Sequence, residues 1–182
     1  MYDLVQLPLV YSSSMGFSFD FASFSFLNLT LLSDSYLQND TISLTRETDV
    51  PSSNVGAAIY TLPIWFLNPA ANASASFATK FSFSITNPHP GGAGDSLTFF
   101  LSLGNSTLGS ASGYLILFNS SATPAVGNGS IIAIEFDDRM DVGLDDTSHN
   151  HVGLDVDSSI SRPSVDLTPF GIDLKSGKLI TA

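Results

Sequence analysis

The sequence predicts an all-β protein, a β-sandwich with a closed barrel as the alternative. Three observations carry this. Apolar residues recur at every second position over short runs. Clusters of Gly, Pro, Asn and Ser separate the runs, as at 87–94, 104–113 and 119–130. No window holds the 3.6-residue apolar stripe with caps that a helix needs. With 182 residues, 43% of them hydrophobic, the chain can enclose one core. No repeat or linker divides it. One domain is expected over residues 17–182, with 1–16 as an N-terminal extension or residual leader.

The elements follow in order. Phe17, Phe19 and Phe21 alternate with Ser18, Asp20 and Ala22 and predict a first strand. Phe81, Phe83 and Ile85 alternate with Ser82 and Ser84. Leu97, Phe99 and Leu101 follow, then Leu115 and Leu117, then Ile132, Ile134 and Phe136. Val152, Leu154 and Val156 alternate with Gly153 and Asp155, and Ile172 and Leu174 close the series. Each period-two run is expected to turn its apolar side to the core.

Composition then narrows the function. The chain has 17 acids against 6 bases, a net charge of −11, so it lacks the basic footprint of a nucleic-acid binder. It has no cysteine, which excludes disulfide scaffolds, cysteine nucleophiles and cysteine-ligated zinc. No apolar stretch reaches the ~20 residues of a membrane span. Segment 1–16 makes a poor signal peptide: Asp3 precedes a short apolar run, no Lys or Arg does, and Pro8 interrupts it. Six asparagines nevertheless head N-x-[ST] sequons: Asn28, Asn39, Asn72, Asn105, Asn119 and Asn128. They point to a glycosylated protein of the secretory pathway, secreted or exposed outside the plasma membrane.

The acids are concentrated. Glu135, Asp137, Asp138, Asp141, Asp145, Asp146, Asp155 and Asp157 lie within 23 residues, opposed only by Arg139. Such crowding is costly unless a cation sits among them. On a strand Glu135 and Asp137 share a face. A polar loop over 138–150 can fold Asp141, Asp146 and His151 back onto them. Carboxylates alone suit calcium, and carboxylates with an imidazole suit manganese or a similar ion, so two different dications are expected. They would bring the net charge to about −7. An EF-hand does not fit, because, counted from Asp137, Arg139 and Ser148 stand at loop positions 3 and 12, where it needs oxygen ligands and, at the last, a Glu. Glu-x-Asp also opens the E-x-D-x-x-E pattern of β-sandwich glycanases, but Met140 stands where the second catalytic carboxyl belongs. A solvated acidic loop is the remaining alternative.

The segment resembles the metal-binding signature of the legume (L-type) lectins, most closely the plant L-type lectin-domain receptor kinases. The resemblance runs from Phe17 to about Ile180. It rests on the F-x-F-x-F opening, Ile42–Ser43–Leu44–Thr45, Ala58–Ile59–Tyr60 with Trp65–Phe66, Phe77-x-Thr79-x-Phe81-x-Phe83, Gly94–Asp95–Ser96–Leu97–Thr98–Phe99–Phe100, Gly113–Tyr114–Leu115, Glu135–Phe136–Asp137, and His151–Val152–Gly153–Leu154–Asp155. It implies the concanavalin A-like jelly-roll sandwich, with further strands beyond Ala182. By position, Glu135, Asp137, Asp146 and His151 resemble the manganese ligands. Asp137, Asp146, Asp141 and the Arg139 carbonyl resemble the calcium ligands. Asp138, Asp145, Asp155 and Asp157 match no ligand and are expected to be solvated or turn-forming. His89 and His149 are expected on surface loops.

The same resemblance implies a sugar site beside the calcium. Asp95, after a cis peptide from Gly94, would accept bonds from two hydroxyls, and the Gly113 N–H would donate one. Asp141 stands where seed lectins use an asparagine amide, and Arg139 where an aromatic ring would stack. A carbohydrate-binding module, not an enzyme, is therefore expected, with glycans or glycoproteins as partners and a homodimer through sheet packing. A lectin-fold interaction module with a degenerate pocket is the alternative, and a glycoside hydrolase is disfavoured by Met140.

Overall fold

The computed structural model describes residues 2–6, 20–21, 24, 29–46, 54–68, 72–74, 76–86, 96–103, 117–118 and 131–182. Among these, strands run in the order β1 (Tyr2–Gln6), β2 (Leu29–Ser33), β3 (Tyr36–Gln38), β4 (Thr41–Ser43), β5 (Gly56–Tyr60), β6 (Leu67–Asn68), β7 (Ala73–Ser74), β8 (Ser82–Ile85), β9 (Ser96–Ser102), β10 (Ile131–Asp137), β11 (His151–Val156), β12 (Ser164–Asp166) and β13 (Ile180–Thr181). Short 3-10 turns at Val142–Leu144, Thr168–Phe170 and Leu174–Ser176 complete them. No described residue is in an α-helix.

The chain forms two compact units. The first comprises Met1–Arg46, Gly56–Ser84 and Leu179–Ala182. It holds a five-stranded sheet in the order β13-β8-β1-β4-β3 and two-stranded ribbons β2-β5 and β6-β7. Tyr2–Gln6, placed by the sequence reading in an extension, is thus a strand of this sheet, with Asp3 opposite Ser43. Ile42, Phe81 and Phe83 are buried in this unit. The β3–β4 hairpin turns on Asn39 and Asp40, whose φ angles of 51° and 60° give the left-handed pair that a tight hairpin needs. Asn and Asp tolerate that region better than most residues with a Cβ.

The second unit comprises Glu47–Val55 and Ile85–Lys178. Its sheet is β12-β11-β10-β9, antiparallel throughout. Successive residues of β10 point to opposite faces, and the two faces differ. Ile131, Ala133, Glu135 and Asp137 are all buried, whereas Ile132 is 46% exposed. The expectation that Ile132, Ile134 and Phe136 mark the core side is therefore corrected. Phe136 is buried, but the closed face of β10 is the one that carries the acids. The same holds in β11, where His151, Gly153 and Asp155 are buried and Val156 is exposed. Hydrophobic alternation could not show this, because one end of the closed face is apolar and the other ionisable. The apolar end packs Leu117, Phe118, Ile131 and Ala133 together, with Phe100 against them.

A second correction falls at the C-terminal end. Ile172 and Leu174, expected on a strand, lie in an irregular stretch and a 3-10 segment. Leu174 is still buried, so the apolar signal was real but marked a single anchor and not an alternation. Phe17, Phe19 and Leu115 lie outside the described residues.

Replacing Ile131 by Ala should cost about 2–5 kcal/mol, since its whole side chain is enclosed. Replacing the adjacent, half-exposed Ile132 should cost under about 1 kcal/mol. Urea denaturation of the two variants measures the difference, and equal losses would contradict the assignment of the faces.

Candidate metal centre

The centre is built from the register of β10 and β11. Asp137 faces His151 and Glu135 faces Gly153 across the ladder. Directly opposed residues project from the same side of the sheet, so Glu135, Asp137 and His151 meet on the closed face. Each offers a ligand atom within 4.8 Å of the others, and all three are buried. β9 flanks them with Ser96, whose side chain hydrogen-bonds Glu135.

His151 is completely enclosed. Its Nδ1 lies 2.8 Å from the Ser148 carbonyl oxygen, which can only accept, so Nδ1 carries the proton. In the neutral, ligating form of the ring the lone pair is then on Nε2, which is buried without a hydrogen-bond partner. The nearest charged group is Asp146 Oδ1 at 3.9 Å, beyond hydrogen-bond reach. A buried lone pair among carboxylates fits a dication, and holding a ligating imidazole through its other nitrogen is the usual way such a ring is oriented.

The loop between the strands is organised by carboxylates acting on backbone donors. Asp137 Oδ1 accepts from the Arg139 N–H at 2.6 Å, and Asp146 accepts from the Asp141 N–H. Asp141 caps the 3-10 turn through the Gly143 N–H at 2.9 Å, and Asp145 ends it with a left-handed φ of 63°. The expected site residues divide accordingly. Glu135, Asp137 and His151 form one group, Asp146 adjoins His151, and Asp141 is linked to the group through Asp146. Arg139 is exposed, with its N–H committed to Asp137. Asp95 and Gly113 lie outside the described residues, as do Asn28, Asn105, Asn119 and Asn128. Asn39 and Asn72 occupy exposed turns.

Two acids depart from expectation. Asp138 and Asp155, read as solvated or turn-forming, are both buried. Asp138 Oδ1 is 3.9 Å from Lys175 Nζ. Asp155 accepts from Ser161 Oγ at 2.6 Å, and the same hydroxyl reaches Glu135 Oε2 at 3.3 Å. Gly153 makes room for that bridge, since a Cβ there would lie 1.9 Å from Ser161 Oγ. The clue in the sequence was register: Asp155 falls on the same strand face as His151. Asp145 and Asp157 do form turns, and His149 is exposed.

The electrostatic consequence is large. Burial, then the neighbouring Asp155 and Asp137, push Glu135 up to about 9. Burial also raises Asp155, against the hydrogen bonds from Ser161 and Glu135 that favour its ionised form. Without a cation, this pocket therefore stays partly protonated at neutral pH.

An all-β chain with a carboxylate–imidazole pocket between adjacent antiparallel strands defines a class of sandwich proteins with a metal-type centre. Comparison with known proteins makes it specific. The legume lectin domain model matches residues 16–182, and the chain belongs to that family. It is 48% identical to a probable L-type lectin-domain containing receptor kinase S.7 of Arabidopsis thaliana, over 95% of this chain and 25% of the relative. It is 43% identical to receptor kinase VIII.2 of the same type and plant, over 90% of this chain and 22% of the relative. The chain thus spans about a quarter of these relatives. Among solved structures, the winged bean acidic lectin complexed with methyl-α-D-galactose aligns with a TM-score of 0.75 and 27% identity, covering 94% of this chain and 68% of that one. The fold is the all-β jelly-roll sandwich of these lectins.

The raised Glu135 predicts a pH dependence. Unfolded, this carboxyl ionises at its ordinary value near 4.5, whereas in the metal-free fold it keeps its proton to about 9. Between those values the folded state binds more protons, so its stability falls as pH rises. Metal-free protein in EDTA should lose stability from pH 7 to 8.5, by at most about 1.4 kcal/mol per pH unit for each proton involved. Glu135→Gln should flatten that slope in denaturation curves. A slope unchanged by the substitution would contradict the assignment.

Proposed function

We propose that this chain is a carbohydrate-binding lectin module whose sugar-contacting loops are ordered by a double-metal site. The observation that carries the reading is His151: an enclosed imidazole, oriented through Nδ1, with its lone pair among carboxylates. Glu135, Asp137, Asp146 and His151 would hold manganese or another transition dication. Asp137, Asp146, Asp141 and the Arg139 carbonyl would hold calcium. The ions supply positive charge that permits these carboxylates to stay ionised while buried. The chain's own residues then bind the ligand. Asp95 accepts bonds from paired hydroxyls and the Gly113 N–H donates another, a pattern suited to a monosaccharide.

The receptor-kinase relatives and the six sequons support an extracellular setting, as secreted protein or receptor ectodomain, with N-glycans at exposed turns such as Asn39 and Asn72. Glycans or glycoproteins are the proposed partners, and a homodimer through sheet packing is the proposed assembly. The chain acts by binding and not by catalysis: in the E-x-D-x-x-E pattern of a glycanase Met140 takes the place of the second catalytic carboxyl.

One observation favours a second reading, an interaction module with a degenerate sugar pocket. Asp141 carries no amide to donate, and its carboxylate already accepts from Gly143. Glycan-array binding with and without EDTA separates the two. Metal-dependent glycan binding supports the first, and metal uptake without glycan binding supports the second.

Asp146→Ala should abolish uptake of both ions and, with it, sugar binding and part of the folding free energy. Asp95→Ala should leave metal content intact and remove sugar affinity. Metal analysis and sugar titration of both variants check this. Full metal content in Asp146→Ala would refute the proposed ligand set.

A further inference from the structure

The turn that delivers His151 to the pocket is tied down by its neighbour. Asn150 is buried, and each polar atom of its side chain is used. Nδ2 donates to the Ile172 carbonyl at 2.8 Å and to Thr168 Oγ1 at 3.2 Å. Oδ1 accepts from the Leu174 N–H at 3.0 Å. Its backbone is held as well: the carbonyl accepts from the Leu167 N–H at 2.9 Å, and the N–H donates to Ser148 Oγ at 3.2 Å. Ser148 Oγ in turn donates to Asp166. Ser148 is also the residue whose carbonyl orients the His151 ring. The segment 167–174 is a firm support, because Leu174 is fully buried and Lys175 reaches the buried Asp138.

The geometry points to Asn150 as a positioning residue for the metal ligand His151. It ligates nothing itself. It anchors the 148–151 turn to the 167–174 segment, so that the Ser148 carbonyl and the His151 Nδ1–H meet and Nε2 is held toward Glu135 and Asp137. This rests on the double-metal reading above. Removing the anchor frees the turn and lets the ring rotate out of register, which lowers metal affinity without deleting a ligand.

Two substitutions test the role. Asn150→Ala removes all three side-chain bonds. Asn150→Asp keeps the acceptor for Leu174 but loses both donors, and it adds a negative charge beside the site. Charge alone would make Asn150→Asp bind a dication more tightly, whereas loss of positioning makes it bind more weakly. The 182-residue chain is titrated with Mn2+ alone, free ion being followed by electron paramagnetic resonance, and melting in EDTA is recorded in parallel. Both variants should bind Mn2+ more weakly, by on the order of tenfold or more. Should Asn150→Ala yield no folded protein, the sign of the Asn150→Asp change decides. A lowered melting point with Mn2+ affinity equal to wild type would show a purely structural residue and overturn the inference. Tighter binding by Asn150→Asp would do the same. A wild-type chain that takes up no Mn2+ would overturn the double-metal reading and this inference with it, whereas equal uptake by all three proteins would overturn only the role of Asn150.

Discussion

Burial of like charge is the constraint around which the second unit is arranged. Glu135, Asp137, Asp138 and Asp155 are all buried, and the Asp146 side chain is nearly so. An isolated ionised carboxylate in such surroundings costs several kcal/mol. The protein meets that cost locally in two ways. Asp138 is set against Lys175, and Asp155 accepts from Ser161. The remaining three, Glu135, Asp137 and Asp146, converge on the one face that also presents an imidazole lone pair. A divalent ion there would offset more charge than any side chain can, which makes it part of the fold's energetics as well as of its binding site.

The same carboxylates shape the loop. A stretch from Asp138 to Asn150 has little apolar content with which to fold itself. It is folded by side-chain acceptors that capture backbone N–H groups: Asp137 takes Arg139, Asp146 takes Asp141, and Asp141 takes Gly143. Each bond fixes a residue within five positions in sequence, so most of the loop's path is specified locally. Its two ends are then held by long-range contacts, the strand register at Asp137–His151 and the Asn150 anchor to residues 168–174. Proposed ligands on both ends and within the loop thus acquire their positions from different sources. A single substitution can disturb one ligand and leave the others in place.

How much of this was legible in the sequence depends on the kind of signal. Strand existence was legible wherever alternation was long: β8, β9, β10 and β11 lie where Phe81–Ile85, Leu97–Leu101, Ile132–Phe136 and Val152–Val156 alternate. Which face closes was not legible, because hydrophobicity marks Ile132 and Val156 while the protein buries Glu135, His151 and Asp155. Ile172 and Leu174 show a related limit, since two apolar residues at a spacing of two do not distinguish a strand from a turn with one anchor. In the candidate site, the grouping of Glu135, Asp137 and His151 followed from side-chain period and motif. The burial of Asp138 did not, because it depends on Lys175, which is distant in sequence. Asn150 carried no signal for the same reason: its partners lie 18 to 24 residues away, in a segment held only by short 3-10 turns.

Gly153 shows how closely fold and chemistry are joined here. It sits opposite Glu135, in the centre of the ladder, where a glycine weakens a strand. What the missing Cβ allows is the approach of Ser161 from the turn after β11, over the strand, to Glu135 and Asp155 together. One hydroxyl thereby spans two carboxyls that would otherwise face each other across the sheet. The strand gives up local propensity so that a polar bridge can close over the buried acids. The position is thus fixed by the charge it helps to bury, and not by backbone conformation. The pocket is therefore built into the sheet itself: register places the acids, a glycine admits the serine that links two of them, and the loop brings in the rest.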